Sequence, residues 1–124
     1  MSFREPLPEG CPPEVAEELV EPRDVFRLVA TNPPIDADFR SQRALNPTKN
    51  YSLTECQARG LSVHAELADS VRTLKLPRFR NSKVCRVRLL PGAGYLQQTG
   101  TPSHHTWWPL AAFDILERCE VLTP

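Results

Sequence analysis

The sequence predicts an α+β fold: one domain with a mixed or antiparallel sheet and three to four short helices. Three observations lead there. At 124 residues the chain is one domain long, and such a chain buries roughly two thirds of its unfolded surface. Its hydropathy reads strand, helices, strand, helix, and then a strand-rich second half. Its 13 prolines fall at turns and element starts and cut the chain into short segments.

Residues 1–24 read as an acidic, proline-rich N-terminal arm and residues 25–124 as the globular domain. In the arm, residues 1–11 have no period and read as loose. Pro12 to Val20 can form a short helix, because proline fits a first turn. Val25 to Ala30 is a mostly apolar strand that carries Arg27. Asn32-Pro33-Pro34 ends it, and a helix is expected from Ile35 to Leu45 with Ile35 and Phe39 one turn apart. Ser52 or Thr54 can cap a second short helix to Arg59. Gly60 then fits the left-handed position past its end.

Leu61 to Ala65 reads as the second strand. Glu66 to Leu76 reads as a helix with Leu67, Val71 and Leu74 on one face, stopped by Pro77. Lys83 to Leu90 alternates strictly: Cys85, Val87 and Leu89 share one face, and Val84, Arg86, Arg88 and Leu90 the other. Pro91 to Gly94 is a turn into a return strand, Tyr95 to Thr99. His104 to Trp108 is extended, Pro109 can start a helix to Arg118, and Cys119 to Leu122 is a short last strand.

Formal net charge is +0, so bulk charge favours neither nucleic acid nor a membrane surface. No apolar run approaches the roughly 20 residues of a membrane span, and the N-terminus lacks the apolar stretch of a signal peptide. The expected location is therefore the cytoplasm. The four cysteines, Cys11, Cys56, Cys85 and Cys119, are far apart and form no CxxC pair. They read as ordinary thiols; no metal site is expected, and disulfides are disfavoured in a reducing compartment.

Three features carry candidate chemistry. Arg27 sits inside an apolar strand, where its guanidinium fork suits phosphate or carboxylate. The plainer reading is an edge strand, or a structural ion pair with Asp24 or Asp38. The segment Ser103-His104-His105-Thr106-Trp107-Trp108-Pro109 is the most distinctive. In an extended chain His104, Thr106 and Trp108 face one way and His105 and Trp107 the other. One His and one Trp then point inward and the other pair outward, as a ligand wall with imidazole for proton transfer and indole for stacking. The plainer reading is a core Trp and locally satisfied His. The third feature is the basic segment 72–88, with Arg72, Lys75, Arg78, Arg80, Lys83, Arg86 and Arg88. It could follow a phosphate backbone, though it holds one aromatic, Phe79, and the acidic arm offers it an internal partner.

Phe26-Arg27, Pro33-Pro34-Ile35-Asp36-Ala37-Asp38-Phe39, Gly60-Leu61-Ser62-Val63 and His104-His105-Thr106-Trp107-Trp108 together resemble a family of small, mostly uncharacterised bacterial proteins. That family's last motif reads His, aromatic, Thr, any residue, Trp; here His105 replaces the aromatic. The resemblance implies no activity. The chain is also similar to ADP-ribosyltransferase-like domains. Those carry an Arg or His on the first strand to hold the NAD phosphates, here Arg27, and a Ser or Tyr on a later strand, here Ser62. They also use a late glutamate, for which only Glu117 and Glu120 stand, neither in a recognisable catalytic loop. This resemblance implies NAD as ligand, held by Arg27. Ser62 would position the nicotinamide ribose, Trp107 or Trp108 would form a wall, and His104 or His105 would be a polar contact or acid/base group.

Three functions follow. The first is a protein-binding or accessory module of a bacterial intracellular system, without cofactor. It would meet a protein partner or itself through the acidic arm and an exposed Trp. The second is an ADP-ribosyltransferase-like NAD-binding domain or toxin, active or degenerate. The third is nucleic-acid binding through residues 72–88.

Overall fold

The computed structural model describes residues 2–123. Among the described residues seven strands are present: β1 (Glu17–Glu18), β2 (Arg23–Val29), β3 (Leu61–His64), β4 (Lys83–Leu89), β5 (Gly94–Gln98), β6 (His104–Pro109) and β7 (Cys119–Leu122). They form one sheet in the order β1-β5-β6-β3-β2-β4-β7. All neighbours run antiparallel. Three short α-helices, α1 (Gln42–Leu45), α2 (Glu55–Ala58) and α3 (Leu67–Thr73), and three single 3-10 turns complete the fold. The expected α+β domain is thus found in its antiparallel, strand-rich form. Among the described residues no helix is long and apolar enough to cross a membrane.

The core follows from strand alternation. Cys85, Val87 and Leu89 of β4 are all fully buried on one face. Val25 and Val29 of β2, Leu61 and Val63 of β3, Leu96 of β5 and Trp107 of β6 join them. Leu19, Phe39, Phe113 and Ile115, from segments between the strands, close this face. The other face is covered too, but unevenly. Trp108 is 1 % exposed there, and its Nε1–H donates to the carbonyl of Cys56 in α2 at 2.9 Å. Both tryptophans are therefore buried, on opposite faces. The expected outward Trp is corrected, because α2 roofs the face on which it lies.

Several local expectations change. Pro12 to Val20 forms turns and the edge strand β1, not a helix. The Leu19 N–H donates to the Gly94 carbonyl at 2.9 Å, so the sheet edge supplies the partners that an isolated short helix would have to find within itself. The helix expected from Ile35 to Leu45 breaks at Arg40, which is extended (φ −105°, ψ 143°) between a 3-10 turn, Asp36–Phe39, and α1. Ser41 starts α1 as its N-cap and accepts from the Ala44 N–H. Phe39 is fully buried whereas Ile35 is 49 % exposed, so the two do not share an inner face. No helix spans Pro109 to Arg118. Pro109 ends β6 opposite Gly94, and only Leu116–Arg118 makes a 3-10 turn.

Gly60 does not take the left-handed conformation expected of it. A Cβ there would collide with Thr106 Cγ2, so its role is close packing of β3's entry against β6. Gly94 does need its backbone freedom: φ is +125°, and a Cβ would strike the Trp108 carbonyl.

The first residues, expected to be loose, are tied down. Arg4 N–H donates to the Pro109 carbonyl at 2.9 Å, Ala111 N–H to Ser2 at 2.8 Å, and the Glu5 carboxylate accepts from the Ser41 N–H at 2.8 Å. Cys11 and Cys56 form a disulfide across 45 residues of sequence, against the expectation of four thiols; Cys85 and Cys119 stay free.

Candidate functional site

Strands β2 and β3 pair at a single position, Phe26 with His64. Past it they part. The gap is spanned by Arg27, whose Nη1–H donates to the Ser62 carbonyl at 2.7 Å, an acceptor that a continued ladder would have used. Its Nε–H donates to the Asp38 carbonyl at 3.0 Å and its Nη2–H to the Arg40 carbonyl at 3.4 Å. The guanidinium lies 5.8 Å from the centre of the Phe39 ring. Burial lowers the Arg27 pKa to about 10, partly offset by the nearby Asp38 charge. Neither expected ion pair is made. The Asp24 carboxylate takes Arg88. That of Asp38 accepts from Thr31 and from the N–H groups of Ala30 and Ile35. Burial alone would raise the Asp38 pKa; those hydrogen bonds and Arg27 leave it below the usual carboxylate value.

The parted strands open a cleft of about 400 Å³ on the face shared by Phe26, Leu28, Ser62, His64 and His104. Its rim carries Arg40 and Gln42 from the α1 side and Arg78 and Phe79 from the turn after α3. A smaller hollow of about 190 Å³ continues from it past Gln57 and Thr106. The lining holds three arginines and two histidines and no carboxylate. Nearby acids are already engaged: Asp36 with Arg4 and Arg40, and Glu5 with Ser41.

His64 Nδ1 lies 2.7 Å from the fully buried Ser70 Oγ. Its ring meets that of His104 edge-on, with centres 6.0 Å apart. Burial first, and then the neighbouring His104, lower the His64 pKa below 6.5, against the pull of Asp69. Its surroundings thus favour the neutral form of His64. His104 Nδ1 lies 2.8 Å from the Thr99 carbonyl, which can only accept, so this nitrogen carries a proton. The Nε2 atom, across the ring, is left for a ligand.

The fold brings Arg27, Ser62 and His104 together at this cleft and leaves the other candidates elsewhere. His105 lies on the opposite face, beside Leu96 and Gln98. Its Nδ1–H donates to the Ser103 carbonyl at 2.9 Å. Trp107 and Trp108 are core residues and line no part of the main cleft. Glu120 pairs with Arg86 on β7, and Glu117 lies in the 3-10 turn before it. The basic segment does not form one stripe: Arg72 pairs with Asp69, Arg86 with Glu120 and Arg88 with Asp24, and Lys83 Nζ donates to the Ala30 carbonyl. Lys75 and Arg80 lie outside the cleft lining. Among the described residues no group of three or more His, Cys, Asp or Glu could hold a metal ion.

The sequence reading missed His64, Arg40 and Gln42 as cleft residues. Ser62 and His64 are two apart on one strand and so share a face, which was a usable signal. Arg40 and Gln42 had none, since the break at Arg40 depends on tertiary partners. Comparison with family models, with curated proteins and with solved structures finds no match for this chain.

Proposed function

We propose that the cleft binds an anionic, ring-bearing small molecule of the dinucleotide class, NAD being the first candidate, as a domain of ADP-ribosyltransferase-like kind. The observation that carries this reading is the convergence of Arg27, Ser62 and His104, far apart in sequence, on one cation-lined cleft. Its volume of about 400 Å³ is in the range of small-molecule sites. Ser62 offers a hydroxyl from the floor, where it suits a ribose. His104 offers Nε2, and Arg27 keeps two of its five N–H donors beyond those given to carbonyls. No glutamate lines the cleft, so the reading is of binding, with the transfer step lost or supplied by another chain.

The test is thermal unfolding with and without millimolar NAD. A ligand at about 100 times its dissociation constant adds roughly 2.7 kcal/mol, which moves the midpoint on the order of 10 °C for a domain this size. The variant Ser62→Phe fills the cleft from an exposed floor position and is expected to abolish the shift. No shift in the parent protein, or an equal shift in Ser62→Phe, refutes the reading.

A second reading, a protein-binding module, rests on Val15 and Val20, which are 76 % and 66 % exposed on either side of the edge strand β1. It predicts a dimer or a stable complex through that edge, and a monomer by light scattering that Val15→Glu leaves unchanged counts against it. As for location, the Cys11–Cys56 disulfide favours an oxidising compartment over the cytoplasm suggested by the sequence.

A further inference from the structure

The cations around the cleft are not equally available. Arg27 has committed three donors to main-chain carbonyls, one of them Ser62 of the parted strand β3 and two, Asp38 and Arg40, in the segment before α1. Arg40 Nη2 lies 3.6 Å from the Asp36 carboxylate. His104 has committed Nδ1 to Thr99. Arg78 is different: among the described residues it makes no ion pair, and its guanidinium carbon sits 4.7 Å from the centre of the Phe79 ring.

That contact places the exposed Arg78 guanidinium over the ring without consuming its hydrogen-bond capacity. A guanidinium lies against an aromatic ring by its face, whereas its five N–H bonds lie in its plane and point outward from the edge. The backbone under it is also held. Pro77 sits in the first turn, the Phe79 N–H donates to the Leu76 carbonyl at 2.9 Å, and the Ser82 N–H to the Phe79 carbonyl at 2.9 Å. A pre-placed guanidinium edge at a cleft mouth without lining carboxylates is suited to bidentate capture of a phosphate.

We propose that Arg78, stacked on Phe79, is the anion anchor of this cleft and takes a phosphate or diphosphate group, while Arg27 is a positioning residue that holds β2 and β3 apart. This inference rests on the anionic-cleft reading and reassigns within it the clamp that the sequence suggests for Arg27. It makes the negative charge of the ligand lie toward the α3 side, over Phe79, with the neutral part on the Ser62–His104 floor.

The experiment is titration calorimetry of the full chain with inorganic pyrophosphate, with NAD and with uncharged adenosine. The proteins are the parent, Arg78→Ala and Arg78→Lys. The parent is expected to bind pyrophosphate with an affinity that falls as salt rises. Arg78→Ala is expected to weaken pyrophosphate and NAD by about ten- to hundredfold, the loss typical of a charge-assisted pair. Arg78→Lys should restore part of that loss, and neither variant should change adenosine binding or the midpoint without ligand. Failure of the parent to bind pyrophosphate, or equal pyrophosphate binding by Arg78→Ala, overturns the anchor. If NAD fails on the parent while pyrophosphate binds and is lost in Arg78→Ala, the anchor stands and the dinucleotide reading falls. If NAD binds the parent and Arg78→Ala alike, the cleft reading stands and the anchor falls.

Discussion

Arg27 and His64 show how single residues carry the cost of an open sheet. Parting two strands leaves carbonyls that water or a side chain must satisfy. Arg27 satisfies that of Ser62, and two more from the segment before α1, at the expense of desolvating its charge, hence its lowered pKa. His64, on the last paired position before the gap, is buried enough to disfavour its protonated form. The sign of its effect on stability follows. Its folded pKa lies below the unfolded value of 6.5, so the unfolded chain takes the proton more readily as pH falls. The native state is then fully favoured above that pH and loses stability as pH drops through 6.5 towards the folded pKa. Denaturant unfolding at several pH values should show this loss in the parent and its reduction in His64→Gln; equal pH slopes in both would contradict the assignment.

At the scale of elements, β6 organises the molecule. Its alternation sends Trp107 into the main core and Trp108 under α2, while His104 and Thr106 remain beside the cleft. Each indole N–H is used, Trp107 on the Ala93 carbonyl of the β4–β5 turn and Trp108 on the Cys56 carbonyl of α2. A four-residue helix is too short to be stable alone, so α2 depends on such anchors. Trp108→Phe keeps most of the apolar area but leaves the Cys56 carbonyl only the longer bond from the Arg59 N–H, at 3.3 Å. We expect a loss of about 0.5–1.5 kcal/mol. Amide exchange should speed up at Ala58 and Arg59, with β4 unaffected. Uniform exchange across the domain would mean that α2 is held by something other than this bond.

For the whole molecule, the disulfide joins the N-terminal segment to the roof over Trp108. Closing a loop of this length contributes roughly 2–4 kcal/mol by restricting the unfolded chain. Reduction, or the double variant Cys11→Ser/Cys56→Ser, should lower the unfolding midpoint by about 10 °C. Mass spectrometry after alkylation of the unreduced, denatured protein should label Cys85 and Cys119 alone; labelling of all four cysteines would contradict the bond. The same segment adds β1 to the sheet and brings Glu5 to Ser41, so residues 2–19 belong physically to the domain.

Much of the scaffold was legible because it is written in local patterns. The alternation of Lys83 to Leu89 sets β4 and its buried face with no information from elsewhere. The cap before α2 was legible as Ser52 or Thr54, of which the structure uses Thr54, and the alternation from His104 to Trp108 assigns the opposite faces of β6. Arg27, Ser62 and His104 also stood out as residue types. What tertiary structure alone decided is where backbone groups and charges find partners across long separations. Helix patterns at Pro12–Val20, Ile35–Leu45 and Pro109–Arg118 gave way because the sheet edge, the Arg27 bonds to Asp38 and Arg40, and the pairing of Pro109 with Gly94 offered competing interactions. The disulfide joins cysteines 45 residues apart, and the burial of Trp108 depends on a helix 52 residues away. The availability of Arg78 over Arg27 is of the same kind: sequence sets that both are cations, but only the fold sets that Arg27 gives three of its donors to carbonyls.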